Sequence, residues 1–265
     1  MFKQRLLTTL ILVPLVLLAI YYANIWLLGT IVVLLVIGSA WEWCQLIPLL
    51  QLVPKLVFVI VVVAAIGLSI HWYEYWLIVG LLFWILILLA VLTFPASQRL
   101  WGFPVVVAAA GILLLPLLAS SITALYLYPH GNDLIVYILC LVWAADIGAY
   151  LTGKWCGKHK LISQVSPGKT VEGASGGFLL SMLVASLAYV YFHPAHVLSW
   201  FAIAAGTCLI SMLGDLFISM LKRRQHLKDT GHLIPGHGGI LDRLDSLIAA
   251  LPLFYFGLRL LPSGI

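Results

Sequence analysis

Charge is what this sequence has least of. Only 23 of its 265 residues are Asp, Glu, Lys or Arg, 9% of the chain, where a soluble domain carries about 25%. That scarcity excludes a soluble core inside a solvated polar shell. Cysteine is thin as well: Cys44, Cys140, Cys156 and Cys208 lie far apart with no CxxC pair. The spacing argues against both a disulfide framework and a zinc site, and leaves unpaired thiols. There is no internal repeat, low-complexity tract or linker. A GKT triplet at 168–170 lacks the upstream glycine of G-x-x-x-x-G-K-[ST], and no βαβ unit carries it, so a P-loop is excluded. No Ser/His/Asp arrangement for acyl transfer is present.

What the chain does have is apolar length, with 63% of its residues hydrophobic. Runs of about 20 apolar residues recur, each long enough for a hydrocarbon core roughly 30 Å thick. A backbone in that medium must satisfy its own hydrogen bonds, and unbroken runs without alternation favour helices over a barrel. The expectation is an all-α polytopic membrane protein of about nine spans: Leu6–Tyr22, Ile25–Ala40, Leu56–Ile70, Tyr75–Phe94, Phe103–Tyr128, Leu134–Thr152, Gly176–Phe192, Val197–Leu221 and Leu244–Leu261. The first run lacks a small-x-small cleavage site and reads as a retained span rather than a signal peptide.

The connections fall into two sets. Four are short and nearly uncharged; the others, with the N-terminus, hold thirteen of the 14 Lys and Arg residues, leaving only Arg259 opposite. By the positive-inside rule the N-terminus and the basic connections face the cytoplasm, as in a bacterial inner membrane. The formal charge of +5 therefore reflects span ends, not a nucleic-acid surface. Trp41, Trp43, Trp72, Tyr73 and Trp101 stand where interfacial aromatic belts are expected. Residues 1–128 read as scaffold helices, and 129–265 as a catalytic region with cytoplasmic loops at 153–173 and 222–243.

Lys222–Asp245 holds 8 of the 23 charged side chains in 24 residues. Membrane carboxylates are costly and usually functional. Asp146 and Asp215 each lie about two turns before a lysine at the end of a span, and Asp242 and Asp245 open the last span on one helical face. Four carboxylates from three helices thus meet one stratum under the cytoplasmic surface. They could pair with neighbouring bases and only fix helix packing. The bases would be surplus for a bare structural cation, however, and Mg²⁺ selects a few carboxylates together with phosphate oxygens. Asp215, Ser219 and Lys222 form one stripe of carboxylate, hydroxyl and ammonium. Gly236, Gly238 and Gly239 around His237 allow a backbone nest for an anion, running into a helix N-terminus that also favours anions. His237 suits hydrogen bonding to phosphate better than zinc, since only His232 accompanies it. Ser166, Lys169 and Thr170, followed by Glu172, form a second loop suited to phosphate contact. Together these point to joining a soluble nucleotide to a lipid phosphate, by positioning and charge neutralisation.

The stretch Ser219–Asp245, SMLKRRQHLKDTGHLIPGHGGILDRLD, resembles the signature of the phosphatidate cytidylyltransferase (CDP-diacylglycerol synthase) family. The pattern S-x-L-K-R, four residues, K-D-x-G-x-x-I-P-x-H-G-G-I-x-D-R-x-D is met at every fixed position. Gly214–Asp215, ADIGAYLTGK around Asp146, and SPGKTVEG extend the likeness over roughly 146–245. The resemblance implies joining of CTP and phosphatidate to give CDP-diacylglycerol and pyrophosphate. It implies a metal centre on Asp215 and Asp242 built on Mg²⁺ that can also include K⁺, and a homodimer. The catalytic candidates are Lys222, Arg223, Lys228, Asp229 and His237. Substrate-binding candidates are Asp146, Ser166, Lys169, Thr170, Glu172, Ser219, Gly238, Gly239, Arg243 and Asp245. Two other readings stay open: a CTP-dependent kinase of a membrane alcohol such as a polyprenol or phytol, and an anion carrier.

Overall fold

A computed structural model describes residues 2–49, 51–101, 103–233 and 238–261. Its helices are α1 (Phe2–Tyr22), α2 (Ile25–Leu46), α3 (Leu52–His71), α4 (Tyr73–Leu92), the short α5 (Gln98–Trp101), α6 (Pro104–Tyr126), α7 (Gly131–Cys156), α8 (Val171–Phe192), α9 (Val197–Arg224) and α10 (Leu241–Arg259). Nine long helices among the described residues thus stand where the nine apolar runs are. Among the described residues, α2, α3, α4, α6, α7, α8 and α9 are each long and apolar enough to cross a membrane. The chain is a multi-pass helical membrane protein. Leucines and isoleucines such as Leu82, Ile85, Leu89, Leu179 and Leu187 are exposed on the outer surface, as lipid contact requires.

Local sequence sets the boundaries. Asn24 accepts a hydrogen bond from Leu27 N at 2.9 Å and so caps α2. Pro104 opens α6, where its missing N–H costs nothing. α2 and α3 are longer than their apolar runs, because the segments WEWCQL and LVPK continue them past the hydrophobic stretch. Trp43 corrects the expected aromatic belt. It is fully buried and its indole donates to Val107 O at 2.9 Å. Trp41 and Trp72 are exposed, as a belt residue should be.

α7 and α8 pair tightly because glycine removes the side chains between them. A Cβ at Gly148 would press on Gly177 Cα, and one at Gly177 on Ala145 O. Small residues are how membrane helices come into close contact without a hydrophobic driving force. α6 runs through the centre, burying Val107, Ala110, Leu114 and Leu118, and touches α2, α3, α7 and α10. α9 and α10 form the second closely packed pair. The 153–173 loop is more ordered than its sequence suggests. α7 continues to Cys156, and then Lys160–Ile162 (β1) and Ser166–Thr170 (β2) pair as an antiparallel hairpin. The four cysteines are free thiols.

Candidate active site

One cleft of about 460 Å³ lies among α7, the hairpin, α8, α9, the loop after α9 and the start of α10. Its walls are of two kinds. Ala145, Ala149 and Tyr150 from α7, Ala174 from α8 and Met212 from α9 give an apolar side. Asp146, Lys169, Asp215, Lys222, Asp229, Asp242, Arg243 and Asp245 give a charged one. The four carboxylates read from the sequence as one stratum are therefore brought together.

The stripe along α9 forms as its spacing predicts. Ser219 Oγ donates to Asp215 Oδ1 at 3.2 Å, and Lys222 follows on the same side. Each end of the stripe is tied to another element. Lys169 Nζ, on β2, lies 2.5 Å from Asp215 Oδ2. Lys222 Nζ lies 2.8 Å from Asp242 Oδ1 on α10. The hairpin, α9 and α10 are thereby joined by two acid–base pairs at the cleft wall.

The loop before α10 is organised by carboxylates of the protein itself. Asp242 Oδ2 accepts from Thr230 N at 2.8 Å and from Gly239 N at 3.1 Å. Glu42 accepts from Ile240 N at 3.0 Å, Leu241 N at 2.8 Å and Thr230 Oγ1 at 3.1 Å. Of the N–H groups expected to face an anion, the described ones of Gly239, Ile240 and Leu241 point at Asp242 and Glu42. Gly238 has φ +86°, a backbone conformation that favours glycine, and a Cβ there would press on Asp242 Oδ2 at 3.1 Å. His237 and Gly236 lie outside the described residues.

Other candidates hold the elements around the cleft in place. Glu172 holds the hairpin base, accepting from Lys158 N at 3.0 Å and His159 N at 3.2 Å and pairing with His159 Nδ1 at 2.6 Å. Thr170 lines the cleft but its Oγ1 also accepts from Gly173 N at 3.0 Å, capping α8. Arg223 fastens backbone, donating from Nε to Val165 O at 3.4 Å and from Nη1 to Leu227 O at 3.3 Å. Ser166 opens β2 opposite Ile162, and Lys228 is exposed on the loop. Arg224 donates to Trp101 O at 2.5 Å and Leu46 O at 3.2 Å. It closes the C-terminal ends of α5 and α2, whose last carbonyls have no helical partner.

Sequence reasoning missed Glu42. It sits among Trp41, Trp43 and Cys44, where aromatic residues mask the only acid of α2, yet it is 1% exposed. The signal available was its position: a carboxylate in an apolar helix is costly unless something satisfies it.

Among the described residues no three His, Cys, Asp or Glu side chains form a ready metal cage. The cleft is nonetheless chemically suited to a cation that accompanies phosphate. Both lysines of its lining are already paired with carboxylates, so a bare polyphosphate would lack free positive charge from them. Asp215 and Asp242 each keep acceptor capacity beside their lysines, since a carboxylate offers about four lone-pair sites. Mg²⁺ is commonly held by one or two carboxylates with substrate phosphates completing the shell.

A cleft lined by both apolar and charged residues, in a bundle of helices long enough to cross a membrane, suits a membrane enzyme that handles a polar group on a lipid. The chain matches the model of the cytidylyltransferase family over residues 3–261, and it belongs to that family. It is 36% identical over 259 residues to a phosphatidate cytidylyltransferase of Pseudomonas aeruginosa, covering 96% of each chain. It is 34% identical to a protein of the same name from Haemophilus influenzae, covering 97% of this chain and 98% of that one. A Synechocystis protein of that name is 45% identical over 137 residues, 51% of this chain and 46% of its own.

Proposed function

We infer that the chain joins CTP to phosphatidate, forming CDP-diacylglycerol and releasing pyrophosphate. One observation carries this reading. Two lysine–carboxylate pairs, Lys169–Asp215 and Lys222–Asp242, stand beside an apolar wall in a single cleft, in a chain of the cytidylyltransferase family. A nucleotide needs the first feature and a diacylglycerol body needs the second.

The phosphate monoester of the lipid is already anionic at neutral pH, so no strong general base is required. One of its oxygens attacks the α-phosphorus of CTP, a new P–O bond forms, and the bond from that phosphorus to the β-bridging oxygen breaks. Charge accumulates on the attacked phosphorus and on the departing pyrophosphate, and stabilising it is the main catalytic task. Lys169, Lys222 and Arg243 supply positive charge along the cleft. The apolar side formed by Ala149, Tyr150 and Met212 receives the lipid and keeps water from the attacked phosphorus. Asp215 and Asp242 would hold Mg²⁺, which when bound screens the phosphate oxygens. Asp229 lines the cleft from the loop after α9, and Lys228 precedes it on that loop.

The basic bias of the connections supports a cytoplasmic opening of the cleft in an inner membrane, with the N-terminus on the same side. A homodimer is part of the same proposal, and light scattering in detergent tests it. The alternative of a CTP-dependent lipid kinase is separated by label. With CTP labelled at the α-phosphate the proposal places label in the lipid. With CTP labelled at the γ-phosphate it places label in pyrophosphate, and γ-label in the lipid would establish the kinase instead.

A further inference from the structure

We propose that Glu42, in the N-terminal half of the chain, is the positioning residue for the loop and helix that carry Asp242. The proposal rests on the reading of the cleft as the catalytic site. Four observations converge on it.

First, Glu42 is buried and its carboxylate accepts from three groups, Ile240 N, Leu241 N and Thr230 Oγ1. A buried carboxylate is tolerated only when so satisfied. Second, the loop is shaped around it. A Cβ at Gly231 or at Gly239 would collide with the Glu42 carboxylate, so two glycines of the Lys228–Asp245 stretch make room for a protein side chain and not for a ligand. Third, α2 contacts the loop twice on one face. Gly38, one turn before Glu42, makes room for the Ile240 side chain, because a Cβ there would run into it. Fourth, the contact continues to the cleft. Thr230 gives its hydroxyl to Glu42 and its N–H to Asp242, and Asp242 in turn pairs with Lys222. Glu42 is thus one residue removed from the carboxylate that faces the cleft.

Glu42 does not line the cleft and touches no reacting atom. It acts through Thr230 and the first turn of α10, setting where Asp242 stands. Displacing a reacting group by about 1 Å costs on the order of 100-fold in rate, so this contact is a control point for catalysis located outside the C-terminal half.

The test uses the full-length protein in detergent, with amide hydrogen exchange and turnover of CTP and phosphatidate measured on Glu42→Gln and Glu42→Asp. Glu42→Gln keeps the volume but presents an amide NH₂ to backbone donors. Exchange at Ile240 and Leu241 should speed at least about tenfold, as loss of a buried hydrogen bond to a charged group implies, with Ser246–Phe254 unchanged. Turnover should fall about 100-fold, and Glu42→Asp, which keeps the carboxylate, should recover at least about a tenth of wild-type turnover. Gly38→Val, which displaces Ile240 with Glu42 intact, should reproduce the loss. Unchanged exchange at Ile240 and Leu241 would overturn the proposal. So would faster exchange throughout α10, which marks general loosening, or turnover by Glu42→Gln within about twofold of wild type. Wild-type protein that makes no CDP-diacylglycerol would sink the assigned reaction, while the exchange pattern would still decide whether Glu42 holds the loop.

Discussion

Lys222 and Asp242 stand 2.8 Å apart across the junction of α9 and α10, with side chains only 10% and 5% exposed. Removing one partner of a buried pair leaves a charge without compensation, at a cost of about 3–5 kcal/mol. Lys222→Met should therefore lower the unfolding midpoint in detergent as well as turnover. An unchanged midpoint would show that the pair is not buried in solution.

Asp215 receives Ser219 and Lys169 and lines the cleft. Asp215→Asn keeps the shape and removes the charge. Turnover should fall about 100-fold or more, the range for a charge interaction made in the transition state, while elution on size-exclusion chromatography stays that of wild type. Near-normal magnesium-dependent turnover would remove Asp215 from the site.

Two charged residues at the hairpin have different contacts. Glu172 ties the backbone of Lys158 and His159 to α8, whereas Lys160 only crosses the exposed turn to Pro167 O at 2.8 Å. Glu172→Gln should raise the KM for CTP by about three- to tenfold with kcat within about twofold, the pattern of lost ground-state positioning. Lys160→Gln should leave both within about twofold, since an exposed contact contributes little. A large loss at Lys160 would enlarge the site beyond the cleft walls.

Both lysines of the cleft are paired with carboxylates, so nucleotide binding should depend on a divalent cation. Chelation should abolish CTP binding in calorimetry as well as turnover, and Mg²⁺ should restore both. Full CTP affinity in chelator would show that the lysines and Arg243 suffice.

The helices were legible because apolar length is a property of each segment alone, and the runs locate all nine long helices. The convergence of Asp146, Asp215, Asp242 and Asp245 was legible too, since each lies at a countable depth from a span end. Three things were not. Trp43 and Glu42 depend on which face of α2 meets α6 and the distant loop, and periodicity is weak in a helix apolar all round. The partners of the Gly239 N–H and of the N–H groups after it were not legible, because sequence shows a glycine's freedom but not what fills the space beside it. Here Asp242 and Glu42 fill part of it. The partners of Thr170 and Glu172 were hidden because a cap and a ligand contact use the same side-chain atoms.

The purified chain should turn CTP and phosphatidate into CDP-diacylglycerol in the presence of Mg²⁺. Mass spectrometry of the lipid, with pyrophosphate measured in the same reaction, decides it. CDP-diacylglycerol and pyrophosphate in equal amounts, both lost in Asp215→Asn, is the result predicted. Release of CDP without pyrophosphate, or CDP-diacylglycerol formation that Asp215→Asn leaves intact, would contradict it.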